Sequence, residues 1–215
     1  AAKKHVYQVE LGEDNRPEVD DFIEQQLGPE GLRGHWALIG GPPCQAYSLA
    51  GRSRRTGDES FASDHKHFLY REYLHIVGKF KPTIFVMENV KGLLSSKNGD
   101  SSMFQTILGD LTRLPGGASY EIRSLVVDAE PHELDPSDFI IRSEEYGVPQ
   151  KRHRVILLGV RSDVAARIPR RALKKADGPV TVRAAVQTMP SVRAETSSRR
   201  PKSDLDWPAV QREAL

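Results

Sequence analysis

Three apolar runs of strand length set the frame for any fold this chain can adopt: HWALI at 35–39, TIFVM at 83–87 and VILLGV at 155–160. Each is far too short to cross a bilayer. Each is bounded by glycine, proline or charge, as buried strands are. Between them the apolar spacing changes to that of helices. Val19, Phe22, Ile23 and Leu27 share one face of a helix over Glu18–Leu27 that stops at Gly28-Pro29. Phe68, Leu69, Tyr73, Leu74, Ile76 and Val77 recur at helical spacing between Asp64 and Phe80, and Met103, Ile107, Leu108, Leu111 and Leu114 do so over Ser102–Leu114. Tyr120–Val127 alternates as a strand, and Pro131–Ser143 fits no single period. Strands alternating with helices predict an α/β fold, an open, mostly parallel sheet with flanking helices, whose working loops lie at the C-terminal ends of strands.

The sequence changes character after Arg161. Between Lys151 and Lys202 fourteen Lys/Arg face three Asp/Glu, a local excess of eleven positive charges in a chain whose net charge is only +2. That excess is either a surface for a polyanion or a solvated basic tail. Three segments are expected: a first domain over 1–161, a basic linker over 162–178, and the start of a second small domain over 179–215. One cysteine in 215 residues excludes an internal disulfide and a thiolate-rich zinc site. The first residues, AAKKHVYQVE, lack the apolar core of a secretion signal, so a reducing cytoplasm is the expected compartment and no membrane partner is expected.

That lone cysteine stands in GGPPCQAYS, residues 40–48, directly after two prolines. Proline fixes φ and removes a donor, so the thiol is carried on a stiff loop. By itself such a cysteine is more often buried filler than a nucleophile. Taken alone, Glu88-Asn89 after TIFVM is usually a helix cap or turn, and Gln150-Lys151-Arg152-His153-Arg154 usually a surface charge cluster.

Together, GGPPCQAYS, KPTIFVMENVKGLL and YGVPQKRHRVILLG resemble the nucleophile loop, the ENV segment and the QxRxR segment of the cytosine-5 DNA methyltransferase family. They occur in family order, with Glu88 placed 44 residues after Cys44. The resemblance implies a Rossmann-like methyltransferase fold. It further implies methyl transfer from S-adenosyl-L-methionine to carbon 5 of a cytosine flipped out of double-stranded DNA. In that chemistry Cys44 adds to C6, splitting one hard step into easier ones, and Glu88 handles the proton at N3. A free thiol is mostly protonated at neutral pH, and Arg152 and Arg154 are the cations available to favour the thiolate. By the same resemblance Arg154 contacts the cytosine O2 and Arg152 supports the loop. Asn89 braces the cysteine loop, with Gln150 among the substrate-binding group, and Gln45 and Ser48 lie along the flipped nucleotide. Pro43 and Leu69 line the methionine side of the cofactor, and no metal is involved.

The chain departs from the family pattern in two respects. No FxGxGG cofactor loop precedes Cys44, and PVTVRAAVQTMP at 179–190 resembles only the opening of a target-recognition region. The fold is therefore expected to be incomplete, completed by an N-terminal segment or a complementary chain, and the given chain is expected to have little activity alone. A tRNA cytosine-5 methyltransferase and a non-catalytic DNA-binding partner subunit are the alternative readings. The enzyme would be cytoplasmic and associated with the nucleoid.

Overall fold

The computed structural model describes residues 6–42, 70–98, 101–114 and 116–189. In chain order the elements are α1 (Arg16–Arg33), β1 (Ala37–Gly40), α2 (Tyr70–Phe80), β2 (Ile84–Val90), a short hairpin of β3 (Lys97–Asn98) and β4 (Ser101–Ser102), and α3 (Met103–Thr112). There follow β5 (Tyr120–Arg123), β6 (Ile140–Arg142), β7 (His153–Arg161), α4 (Ser162–Ala165) and α5 (Val182–Val186). Gly28-Pro29, expected to end the first helix, instead kinks it. Gly28 takes φ 61°, which glycine tolerates, and helical structure resumes to Arg33. Pro131–Ser143, which fits no single period, resolves into two single-turn 3-10 segments and the short strand β6.

The main sheet runs in the order β1-β2-β7-β5, with β6 also on β7. β1 and β2 are parallel, while β2, β5 and β6 each pair antiparallel with β7. Four strands therefore point one way and β7 alone runs against them. The expected open α/β sheet with flanking helices is present. Its parallel character lies in strand direction and not in pairing, because the one reversed strand is inserted at the centre and owns three of the four ladders. Along one edge of β7, β5 pairs with residues 158–161 and β6 with 153–155.

Helices α2 and α3 cover the same face of this sheet. Tyr73 and Val77 of α2 and Phe104, Ile107 and Leu111 of α3 pack on Phe85, Met87, Val155 and Leu157. Phe85 lies opposite Gly159 in the β2–β7 ladder, and a Cβ at that glycine would overlap the Phe85 ring. Tyr73 meets Phe85 edge-on at 6.0 Å, and Tyr120 approaches it at 5.0 Å while donating its hydroxyl to the Pro82 carbonyl at 2.7 Å. Charges dock α1 on α2. Arg16 grips the Glu72 carboxylate through two 2.8 Å bonds, and Asp20 is shared by His75 and Lys79 at 3.0 Å.

Among the described residues, the opposite face is covered only in part. Val164 and Ala165, with Ile168, cover Val160 and Leu158, whereas Ile39 at the β1 end is 77% exposed. A buried guanidinium closes the covered end. Arg123 donates to Glu121 at 2.7 Å and to the carbonyls of Ile168 and Ala165 at 2.7 and 2.8 Å. Arg170 adds bonds to Glu121 at 2.9 Å and Glu130 at 2.6 Å. These contacts hold the start of the basic stretch against β5.

The chain divides into two compact units, Ala1–Arg142 with Arg152–Lys174, and Ser143–Lys151 with Lys175–Leu215. Within the second, a 3-10 turn at Ser143–Tyr146 leads into Gly147 at φ 80°. Ala176 donates to the Glu145 carbonyl at 2.9 Å, Lys175 pairs with Glu145 at 2.6 Å, and Thr181 caps α5. Among the described residues no helix is long and apolar enough to cross a membrane, and no group of His, Cys, Asp and Glu could hold a metal ion.

Two outcomes follow from this packing. Gly159→Ala, which drives a methyl group into the Phe85 ring, is expected to cost about 2–3 kcal/mol in denaturant unfolding. Burial raises the Glu121 carboxyl, but the hydrogen bonds from Arg170 and Arg123 outweigh it and hold the group below its ordinary 4.5. The stability this network contributes is therefore complete above the unfolded carboxyl's range and is lost as pH falls through the lower folded value. Melting curves across acid pH should show a smaller decline for Glu121→Gln than for the unsubstituted chain.

Candidate active site

The strand β2 extends to Val90, so Glu88 and Asn89 lie within it and not after it, as the apolar run alone suggested. Period-2 geometry then sends the two side chains to opposite faces of the sheet. Phe85, Met87 and Asn89 face α2 and α3, while Val86, Glu88 and Val90 face the other way. Asn89 is accordingly only 5% exposed. Its amide is satisfied locally: Nδ2 donates to the Pro42 carbonyl at 3.4 Å, and Oδ1 accepts from the Val90 N–H at 2.9 Å. A buried amide reaching the backbone where β1 gives way to GGPPCQ ties that exit to β2.

Glu88 pairs with Ile156 across the β2–β7 ladder, and Val90 with Arg154. Arg154 and Ile156 are two apart on β7 and share a face, so Glu88 and Arg154 are diagonal neighbours. Arg154 Nε lies 2.7 Å from Glu88 Oε1, with the carboxylate side chain 42% exposed and the arginine 23%. That Nε–H is nonetheless a buried donor without a hydrogen-bond partner. Its N–H is not aligned on the carboxylate, and charge and proximity hold the pair. Arg154 Nη1 donates to its neighbour's carbonyl, His153 O, at 2.8 Å, which fixes the guanidinium at the strand start.

Gly41 is a third member that the motif contained without a role being read for it. A Cβ at Gly41 would stand 3.0 Å from Glu88 Oε2 and 3.8 Å from the Glu88 carbonyl, so the backbone leaving β1 runs directly past the carboxylate. The signal was the glycine pair itself, which reads in sequence only as a turn.

The structure therefore brings together Glu88, Asn89 and Arg154 with the Gly41-Pro42 backbone. Arg152 is exposed just ahead of β7, and Gln150 is exposed in the second unit, where its N–H donates to the Val148 carbonyl at 2.8 Å. Cys44, Gln45, Ser48, Pro43 and Leu69 lie outside the described residues. A cavity of about 680 Å³ lies on the outer side of α2, lined by Arg71, His75, Lys79, Asp110 and Arg113 among others, and none of Glu88, Asn89 and Arg154 lines it.

An acid and a guanidinium in contact on the half-open face of a sheet, beside the exit of a strand, make a site of the kind that α/β enzymes build at strand ends. The comparisons with known proteins agree with that class. Residues 3–206 match the model of the family described as C-5 cytosine-specific DNA methylase, and the chain belongs to that family. A Type II methyltransferase of Bacillus paralicheniformis, M.Bpa9945I, is 36% identical over 162 residues, covering 73% of this chain and 32% of its own length. The DNA-cytosine methyltransferase of Escherichia coli (strain K12) is 35% identical over 133 residues, covering 60% of this chain and 26% of its own. A crystal structure of a DNA modification methyltransferase encoded within an E. coli prophage superposes with a TM-score of 0.48 at 22% identity, covering 81% of this chain and 39% of that one. The chain thus spans about a third or less of the length of the curated relatives it matches.

The site also makes a stability prediction. Asn89→Ala removes a buried amide and leaves the Pro42 carbonyl and Val90 N–H without their partner. It is expected to cost about 1–3 kcal/mol in denaturant unfolding.

Proposed function

We propose that the protein carrying this chain transfers a methyl group to carbon 5 of cytosine in DNA. Cys44 would be the nucleophile, and Glu88 and Arg154 would handle the base. The observation that carries the reading is the 2.7 Å Glu88–Arg154 pair beside Gly41, three residues before the only cysteine of a chain that belongs to this family.

The chemistry follows from the side chains. Carbon 5 of cytosine is a weak nucleophile. The Cys44 thiolate adds to C6, forming a C–S bond, and the displaced electron pair moves through the ring to C5 and N3. Glu88 in its protonated form gives a proton to N3 and accepts a hydrogen bond from the exocyclic amine, so the ring carries no net negative charge. Arg154, held against Glu88, is placed to donate to the cytosine O2. S-adenosyl-L-methionine, when bound, supplies an electrophilic methyl group to C5. A base, such as a water molecule, takes the C5 proton as the thiolate is expelled, which restores the aromatic ring, and the N3 proton returns to Glu88. A base inside a duplex cannot reach such a site, so the target cytosine must leave the stack. Asn89 would serve this sequence indirectly by fixing the Pro42 backbone. Of the residues assigned to the donor, Pro43 and Leu69 fall outside the described part of the chain, and the described residues beside Glu88 supply only base-handling groups. The Type II relatives further suggest a modification enzyme of the bacterial cytoplasm that marks DNA.

The test is covalent capture. Duplex DNA carrying 5-fluorocytosine at the methylated position, with S-adenosyl-L-methionine, should give an adduct stable to denaturation. Cys44→Ala should abolish it, and Glu88→Gln should slow its formation by about 10²-fold or more. Methylation of tRNA in place of DNA would favour the RNA reading. DNA binding without an adduct would make the protein a non-catalytic partner.

A further inference from the structure

The Gly40-Gly41 exit of β1 is shaped by a residue that lies 33 positions further along the chain. Tyr73, on the inner face of α2, is 6% exposed. Its ring lies flush against Gly40: a Cβ at that glycine would stand 2.8 Å from Tyr73 Cε2 and 3.1 Å from Cδ2. Only a residue without a side chain lets an aromatic ring approach the strand backbone so closely. The hydroxyl of the same ring donates to the Val86 carbonyl at 3.1 Å, on the strand that carries Glu88 two residues later. Burial raises the phenol well above its ordinary 10, so it remains a neutral donor. Edge-on contact with Phe85, itself locked against Gly159, prevents the ring from swinging away.

One side chain therefore touches both strands that build the site. The ring bears on β1 at its last residue, and the hydroxyl holds β2. Immediately beyond Gly40, Gly41 passes the Glu88 carboxylate, and the Pro42 carbonyl receives Asn89. A shift of the Gly40 backbone away from α2 would carry Gly41 toward Glu88 and alter the Pro42–Asn89 distance together.

We propose that Tyr73 is a positioning residue for methyl transfer, its ring and hydroxyl fixing where Gly40-Gly41-Pro42 leaves β1 relative to Glu88. This inference rests on the methyl-transfer reading and adds to it a residue with no contact to the base. Misplacement of reacting groups by an ångström is enough to slow chemistry by up to about 10²-fold, and positioning acts on the rate of reaction and not on affinity for DNA.

The experiment measures the first-order rate constant of adduct formation with 5-fluorocytosine DNA at saturating DNA, in the whole protein, a quantity independent of how many molecules are folded. Tyr73→Phe keeps the ring and should lower it about two- to threefold. Tyr73→Leu removes ring and hydroxyl and should lower it about ten- to a hundredfold, with Kd for DNA unchanged. Gly40→Ala forces the ring off the strand and should have a similar effect. The double variant, in which the leucine vacates the space the methyl group needs, should be no slower than either single change. Rate constants equal to the unsubstituted protein's in Tyr73→Phe and Gly40→Ala overturn the positioning role even if Tyr73→Leu fails to fold. In that case the unsubstituted protein still forms the adduct and the methyl-transfer reading stands. No adduct from the unsubstituted protein removes that reading, and this inference with it.

Discussion

Seven residues of β2 stand opposite seven of β7, and the register between them determines what every other part of the first unit can do. Side chains alternate along a strand, so a slip of one residue would turn Glu88 toward the helices and Asn89 outward. Packing prevents the slip. Phe85 fills the space above Gly159, and a one-residue slip would move its ring off that glycine and onto the face away from α2 and α3. The lock lies three residues from Glu88, about 10 Å along the strand. The hydrophobic core thereby sets the geometry of a polar pair that it does not itself contain.

The same alternation divides the candidate site between two environments suited to its parts. Asn89 is neutral and can be buried at little cost once its amide finds the Pro42 carbonyl and the Val90 N–H. Glu88 is an ionisable group, and a carboxylate sealed in the core would be costly to ionise. On the less covered face it keeps 42% of its side chain open and has Arg154 beside it. The loosely aligned ion pair leaves both groups with hydrogen-bonding capacity that a directed, saturated bond would use up.

How much of this is visible in the sequence depends on whether the determining contact is local. Ile84–Met87 is strand-like in composition and forms a strand. Glu88 and Asn89 beyond it do not look like strand, and they are strand because β7 pairs with them. Gly28-Pro29 reads as a stop and becomes a kink, because the backbone can pass through a single left-handed residue and resume. β7 shows itself as a buried run, but nothing in VILLGV records that it is reversed and central, since direction depends on which edge the returning chain meets. The motif residues Glu88, Asn89 and Arg154 were legible from their neighbours, and the contact between the first and the last was not. That contact exists only once an antiparallel register makes residues 66 positions apart diagonal partners. Tyr73 was legible as an apolar helix position and no more, because its importance lies in touching a glycine on another element.

The glycine pair at 40 and 41 shows most plainly how fold and site are joined. In sequence both read as turn formers, interchangeable signals that a strand is ending. Neither is described with the positive φ that would make glycine a conformational necessity. Their lack of a side chain is used for space, and on opposite faces of the same strand end: Gly40 admits the Tyr73 ring from the helix side, and Gly41 admits the Glu88 carboxylate from the other. A methyl group at the first would press on the core, and a methyl group at the second would press on the acid. The backbone between them is flanked on both sides, by a ring packed on Phe85 and by a carboxylate paired with Arg154. It leaves the sheet at Pro42 with its carbonyl held by Asn89. A strand end packed in this way needs no bulky residues of its own, so it can be built from glycine and proline alone.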